Sequence, residues 1–502
     1  MASYKRRAKL TRLVIVVLAV GSLVYGLGIY FFSWPPFQSL NGVYVGCSKD
    51  SKKDISASYI YTDPIEPSSV QELKPGEAIV YLTWAHDPTS TITVQWISLH
   101  NRAGILFYRP LGQEPWELKR AESVHYLPGS HNLFVHWNTI KGLEPGTTYE
   151  FFVLEEQNVR SFSTMPQEAN DTIRIAFAGD SRRFTFWFEE LTQTIGEFNP
   201  HLLVGKGDYV ACEGIVSTEN TDKWLYFLRA LEANLVNENG HMIPFILAMG
   251  NHEVDTGFQY NQPNEPEEAE YMWHLFASPR LLEPEDNFYG ALEVSNYLQI
   301  LFLDSIHTAP IGGDQTEWLR ATIDDTKTHI IPVYHSAVFP SSKPFNSQWK
   351  VEIRELWLPL FHENNVRVVM EACDHTYKRT VPIAFSRELP AGTENYIRLE
   401  TGYLFEKESG MIFFGDGGWG VPIRDIYNPE TTWYLARAIG ANIKRGIATQ
   451  EGVFIRRHPN DGRESTEIEN AYHFLLVEIK DESTIVKSIN YKGYIFDETV
   501  IR

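Results

Sequence analysis

Several residues of this chain stand where chemistry is easiest to assemble, at the ends of apolar runs. "IRIAFA" leads into "GDSRR" with Asp180, and "HLLVGK" into "GDYV" with Asp208. "IPFILAM" leads into "GNHE" with Asn251 and His252, "HIIPVY" into "HSAVFP" with His335, and "VRVVM" into "EACDH" with Cys373 and His375. Each is ordinary alone, because Gly-Asp and Gly-Asn are common turn dipeptides and a lone histidine more often packs or caps than ligates. Five run ends that all carry such residues are hard to produce by turn chemistry. Mixed Asp, Asn and His ligation suits borderline divalent metals such as Zn, Fe, Mn or Co, and the donors are enough for two ions.

The apolar runs that carry these residues do not alternate with polar positions, as expected of strands buried on both faces in an α/β protein. Between them "FWFEELTQTIGEF", "TDKWLYFLRALEANL", "QTEWLRATI" and "WKVEIRELWLPLF" have the spacing of amphipathic helices. In open α/β sheets ligands bind beyond the carboxyl ends of the strands, where the candidate residues stand. Residues 75–166 follow a different grammar, with short alternating runs such as "AIVYLTWA", "TITVQWIS", "NLFVHWNT" and "TTYEFFVL" broken by Gly, Pro and polar turns. That pattern predicts a small antiparallel sandwich with Trp96 and Trp137 in its core and His136 on its surface or in its core.

The 502 residues are 43% hydrophobic and 13% aromatic, a folded composition with room for two or three domains. With 44 Lys and Arg against 64 Asp and Glu the net charge is -20, which argues against a nucleic-acid backbone as partner. Residues 13–32 carry no charge, are long enough to cross a bilayer and follow a basic cluster, Lys5, Arg6, Arg7, Lys9 and Arg12. They are expected to anchor the chain, with residues 1–12 as a cytoplasmic tail, 33–74 as a linker, and the bulk periplasmic, extracellular or lumenal. Three cysteines, Cys47, Cys212 and Cys373, permit at most one disulfide.

The ordered set "GDS", "GDY", "GNHE", "VYHS" and "DHTYKRT" resembles the calcineurin-like metallophosphoesterases, in particular the purple acid phosphatase-like branch with a fibronectin type III-like domain in front. The resemblance runs from about residue 75 to 500, with Tyr149 in "GLEPGTTYEFFV" placed as a tyrosine-corner residue and a closing β-hairpin near the C-terminus. It implies a four-layer α/β sandwich over residues 172–502, two mixed sheets flanked by helices, preceded by the all-β sandwich; the transmembrane helix expected from the charge-free run stands in front of both. It implies two divalent or trivalent metal ions, Zn, Fe or Mn, bridged by Asp208, with Asp180 and His375 on the first and Asn251 and His335 on the second. His252 is then a phosphate contact and proton donor, and Arg182 and Arg183 are either a phosphate clamp or a solvated surface pair. "GDGGWG" at residues 415–420 reads as a tight turn beside the site, with Trp419 at its entrance.

Three positions depart from the family pattern. Where a first histidine of Gly-His-x-His is expected there is Cys373, which either ligates the second metal as a thiolate or is a buried, inert thiol. Ala211 stands where purple enzymes have a metal-bound tyrosine, so the iron-tyrosinate colour is not expected, and Arg182 stands where other branches have a histidine. Asp304 and His307 in "LFLDSIH" are expected to support the fold. Three functions stay open: a membrane-anchored phosphatase acting on a phosphorylated small molecule, a phosphodiesterase or nucleotide pyrophosphatase on the same site, and a degenerate member that binds phosphate or a partner.

Overall fold

The computed structural model describes residues 72–501 except 182–185, 211–218, 255–262, 264–265, 279–281, 283–286, 341–342, 376, 395, 416 and most of 422–471. The anchor at 13–32, Cys47, Arg182, Arg183, Ala211 and Cys212 lie outside the described residues. Among the described residues no helix is long and apolar enough to cross a membrane.

The alternating runs form eight strands: β1 (Ile79–Thr83), β2 (Thr91–Ser98), β3 (Ile105–Pro110), β4 (Glu117–Arg120), β5 (Ser123–Tyr126), β6 (Phe134–Lys141), β7 (Thr148–Val153) and β8 (Arg160–Ser163). They make two four-stranded sheets, ordered β1-β2-β6-β5 and β4-β3-β7-β8, with antiparallel neighbours throughout. Val80, Leu82, Val94 and Trp96 from one sheet share a core with Leu106, Phe151, Val153 and Phe162 from the other. Tyr149 is buried and its Oη accepts the Glu144 N–H at 2.9 Å, which closes a tyrosine corner five residues upstream. His136 is a core histidine, stacked on Trp96 at 5.1 Å and bonded to Ser98 Oγ at 3.0 Å.

The runs without alternation supply the parallel parts of two six-stranded mixed sheets. The first is assembled from β9 (Ile173–Ala178), β10 (Leu202–Gly205) and β11 (Phe245–Leu247), which are parallel. The second begins with β12 (Gly290–Val294), antiparallel to β13 (Leu298–Phe302), and continues in parallel through β14 (His329–Ser336) and β15 (Val368–Ala372). Beyond β15 the chain makes β16 (Lys378–Arg379), β17 (Ile383–Ser386), β18 (Tyr396–Arg398), β19 (Tyr403–Glu406) and β20 (Ile412–Gly415), of which β20 pairs parallel with β15. A two-stranded ribbon, β21 (Arg456–Arg457) and β22 (Glu464–Ser465), precedes β23 (His473–Lys480), β24 (Ser483–Asn490) and β25 (Ile495–Ile501). The last three are antiparallel and join the first sheet at β9, so the closing hairpin completes that sheet.

Ile173, Ile175 and Phe177 on one sheet and Ile300, Phe302, Val333 and Met370 on the other share the core between the sheets. Ala176 and Leu203 point the other way, toward Phe188, Leu191 and Ile195 of α1 (Phe186–Glu197) and the apolar face of α2 (Thr221–Asn234). A short α3 (Glu270–Leu275) follows, and the outer face of the second sheet packs on α4 (Asp314–Thr322) and α5 (Gln348–Glu363) through Leu319, Ile353 and Trp357. The layers are therefore helix, sheet, sheet, helix. Each large apolar side chain sealed in these cores contributes roughly 1.5–3 kcal/mol, so the strand ends stand on a rigid base.

In the front sandwich β3 and β7 alternate in burial, whereas β1 and β2 do not. β1 and β2 are buried on both faces, because Ile79, Tyr81 and Ile97 pack against α2. Polar neighbours on that face are matched: Gln95 Nε2 and Tyr81 Oη each donate to the Leu275 carbonyl at 2.6 Å, and Glu232 accepts from Val80 N and Arg160. Buried polar groups need such partners, and here they join the sandwich to the α/β body.

Candidate metal centre

Four of the candidate residues have left-handed backbone: Asp180 (φ 60), Asp208 (φ 63), Cys373 (φ 67) and His375 (φ 54). That conformation costs a residue with a Cβ on the order of 1–3 kcal/mol, and it clusters where structure around a site enforces it. Here it folds each strand end back so that the side chains converge. Two glycines leave room for this. A Cβ on Gly207 (φ +95) would come 2.6 Å from His335 Nδ1, and one on Gly417 (φ +104) would come 2.7 Å from Asp180 Oδ2.

The loops are bonded to each other before any side chain meets a ligand. Asp180 N–H donates to the Gly207 carbonyl at 3.0 Å, and Ser181 Oγ donates to the Tyr209 carbonyl at 2.9 Å. Glu253, fully buried, accepts the N–H groups of Asp208 (2.8 Å), Tyr209 (2.7 Å) and Gly250 (3.0 Å), so one carboxylate fixes the backbone under Asp208. Trp419 N–H and Val421 N–H donate to the carbonyls of Gly179 and Asp180, which ties the glycine-rich turn after β20 to the same place.

Asp208 is at the middle of the cluster. Its Oδ1 accepts the His252 N–H at 3.0 Å, and its Oδ2 lies 3.3 Å from His335 Nε2 and 3.9 Å from His252 Nε2. His335 Nε2 is also 3.2 Å from Asn251 Oδ1, while its Nδ1 pairs with the Lys206 carbonyl at 2.8 Å. A carbonyl can only accept, so Nδ1 carries a proton and it is Nε2 that faces the carboxylate and the amide oxygen. On the other side Asp180 Oδ1 lies 2.9 Å from His375 Nε2 without the alignment of a hydrogen bond, and Oδ2 accepts Cys373 N–H at 2.9 Å. Cys373 Sγ stands 3.8 Å from Asn251 Oδ1 and 2.7 Å from Lys343 Nζ.

Donor atoms of Asp180, Asp208 and His335 all lie within 4.8 Å of one another in buried surroundings. Their ionisation shows what the cluster demands. Burial would raise the Asp180 carboxyl, yet the His375 imidazole beside it holds it below the usual range. Burial would lower His335, yet Asp208 and Cys373 push it well above its ordinary value. The Cys373 thiol, raised by burial, is pulled down to about 7 by Lys343 and then His335. Buried carboxylates and a thiol that draw protons onto nearby imidazoles form a donor set suited to a cation, so the residues fit metal ions of the Zn, Fe or Mn kind.

Two family models match the chain: the purple acid phosphatase N-terminal domain over residues 78–165 and the calcineurin-like phosphoesterase over residues 173–372. Residues 173–372 are thus similar to the calcineurin-like phosphoesterases. An uncharacterized protein of Mycobacterium tuberculosis, matched in two strains, is 24% identical over 153 residues, covering 29% of this chain. The matched stretch spans 28% of that relative's length. Among solved structures, "GAP50 the anchor in the inner membrane complex of Plasmodium" has a TM-score of 0.37 at 12% identity, covering 66% of this chain and 89% of that one. A predicted phosphoesterase from Streptococcus pneumoniae has a TM-score of 0.24 at 10% identity, covering 66% and 98%.

The structure brings Asp180, Asp208, Asn251, His252, His335, Cys373 and His375 together, whereas Arg182 lies outside the described residues. Trp419 does not line an entrance: it is fully buried, packed on Phe188 and Phe227 with Nε1 bonded to Thr192. Its ring fills the core under the turn, and only its backbone serves the site. Asp304 supports the fold, accepting the N–H groups of His307, Thr308 and Ala309. His307 has a second role, since its ring lies 5.6 Å from that of His335 and walls the site. Sequence reasoning missed Glu253, although it stands inside the quoted "GNHE", and Lys343, which lies eight positions past His335 in a loop without a motif.

Proposed function

We propose that this chain is a metal-dependent hydrolase of phosphate monoesters, anchored in a membrane by residues 13–32 with its bulk on the non-cytoplasmic side. The observation that carries the hydrolase proposal is the convergence of two buried carboxylates, an amide and three imidazoles from five strand ends on one point. In the proposed assignment Asp208 is shared by two ions, Asp180 and His375 hold the first, and Asn251, His335 and Cys373 hold the second. Bound there, the ions supply a water of lowered pKa and positive charge for the phosphoryl oxygens.

The remaining work falls to protein groups. Asp208 is held by Glu253 and by the His252 N–H, so its two oxygens cannot swing away from the centre. His335 keeps its Nε2 lone pair inward because Nδ1–H is bound to Lys206. His252, with Nε2 3.9 Å from Asp208 Oδ2, borders the centre without joining it, the position from which an imidazolium can give its proton to the leaving oxygen. Arg182 is assigned to a phosphate oxygen, a contact that suits the guanidinium fork. A buried, water-poor surround strengthens each of these interactions.

The test is hydrolysis of p-nitrophenyl phosphate and bis-p-nitrophenyl phosphate by the metal-replete chain and its His252→Ala variant. Turnover of the monoester, lowered about 10²–10⁴-fold in the variant, is expected for a general acid. Preference for the diester would replace the monoester assignment. No turnover of either would overturn the hydrolase proposal and leave a degenerate member that binds phosphate or a partner.

A further inference from the structure

Cys373 is the largest departure from the family pattern, and its surroundings are built. Asn251 Oδ1 to His335 Nε2 is 3.2 Å, His335 Nε2 to Asp208 Oδ2 is 3.3 Å, and Cys373 Sγ to Asn251 Oδ1 is 3.8 Å. Metal–nitrogen and metal–oxygen bonds of about 2.0 Å and a metal–sulfur bond of about 2.3 Å give tetrahedral edges of roughly 3.3–3.6 Å. These three separations are close to the edges of one coordination shell, with the sulfur at the longest of them. Replacing a neutral imidazole by sulfur adds a negative charge, because a coordinated thiol is deprotonated. Lys343, with Nζ 2.7 Å from Sγ, carries the charge that balances it.

Lys343 is not a chance surface neighbour. Its loop is pinned by three buried cations: Arg354 Nη1 donates to the Val338 carbonyl at 2.7 Å and the Phe345 carbonyl at 3.2 Å, Lys350 Nζ to Pro344 at 3.1 Å, and Lys378 Nζ to Phe339 at 2.7 Å. Lys378 is itself paired with the buried carboxylate of Glu371, which also accepts Tyr334 O–H and Val338 N–H at 2.9 Å. Glu371 is two residues before Cys373, so one polar network sets both the strand end that carries the sulfur and the loop that carries the ammonium. Burying that many charges is unfavourable unless their geometry is used.

We propose that Lys343 is a positioning residue that donates to Cys373 Sγ and fixes it as the sulfur ligand of the second metal subsite, with Asp208, Asn251 and His335. This rests on the metal-centre assignment above. A mixed sulfur, nitrogen and oxygen shell with a compensating ammonium selects zinc or cobalt over manganese or magnesium.

The experiment is titration of the metal-free full-length chain with Co(II), following bound cobalt per chain and the sulfur-to-cobalt charge-transfer absorption. The expected result is two ions per chain with that absorption, its loss in Cys373→Ser, a 10–100-fold weaker second ion in Lys343→Met, and recovery in Lys343→Arg. Two bound cobalt ions without the absorption would show that sulfur is not a ligand and overturn the proposal while leaving the dinuclear centre intact. The absorption with unchanged titration in Lys343→Met would remove Lys343 from it, and an extra ion gained in Lys343→Met would make the lysine a competitor of the metal. No cobalt bound to the parent chain would overturn the metal-centre assignment itself.

Discussion

Glu253→Gln removes an ionisable group and no volume, and its hydrogen bonds reach Asp208 through backbone. Oε2 of Glu253 accepts from Asp208 N and Gly250 N, and Oε1 accepts from Tyr209 N. Glutamine has one acceptor oxygen, so either the two bonds at Oε2 or the one at Oε1 must face an NH₂ group instead. A hydrogen bond to a charged acceptor contributes about 1.5–3 kcal/mol, and the bonds that remain weaken to those of a neutral acceptor. The gross loss is roughly 3–5 kcal/mol. Against it stands relief of a buried charge: burial and the Asp208 carboxylate already push Glu253 up to about 8, so part of the loss is returned. A net effect near 2 kcal/mol is expected, about 30-fold in an equilibrium constant. Because Asp208 is assigned to both ions, the loss should appear in the affinity of both, measured by competition with a zinc-chelating dye. An unchanged affinity for both ions would refute the claim that Glu253 sets the position of the shared carboxylate.

Two further predictions concern the scaffold. Tyr149→Phe leaves the partly buried Glu144 N–H without the acceptor it has at 2.9 Å, and urea unfolding should register a loss of about 1 kcal/mol; an unchanged midpoint would show the corner to be dispensable. Burial lowers both His136 and His201 to about 4 in the folded protein, against about 6.5 unfolded. The unfolded chain then binds more protons between those values, so stability is full above pH 6.5 and falls as the pH drops toward 4, by at most roughly 3 kcal/mol for each histidine. Urea midpoints that do not fall between pH 7 and pH 5 would contradict this.

The strands and the site were legible for one reason: unalternating runs must be buried on both faces, and their carboxyl ends must therefore point at a common edge. Four helices and six strands follow from periodicity alone, and the polar residues after five of those strands fall on the centre. β20 escaped because "MIFFG" is short and lies next to a turn that drew attention to its glycines. Trp419 was misplaced for the same reason, since a residue beside a glycine-rich turn can point into the core as easily as into a cleft. Burial of β1 and β2 on both faces was not legible, because a polar residue such as Gln95 gives no sign in sequence that its partner lies in another layer. Lys343 was invisible in principle: its place depends on Arg354, Lys350 and Lys378 holding a loop, a relation between distant positions that no local spacing encodes.

The measurement that tests the central claim most directly is metal content per chain, by elemental mass spectrometry of the purified, metal-replete full-length protein and of His335→Ala. The account predicts two tightly held ions that fall to one in the variant, because Asp180, Asp208 and His375 remain to hold the first. One ion or none in the unmutated protein would contradict it and mark Cys373 and Arg182 as signs of a site that has lost its metal chemistry.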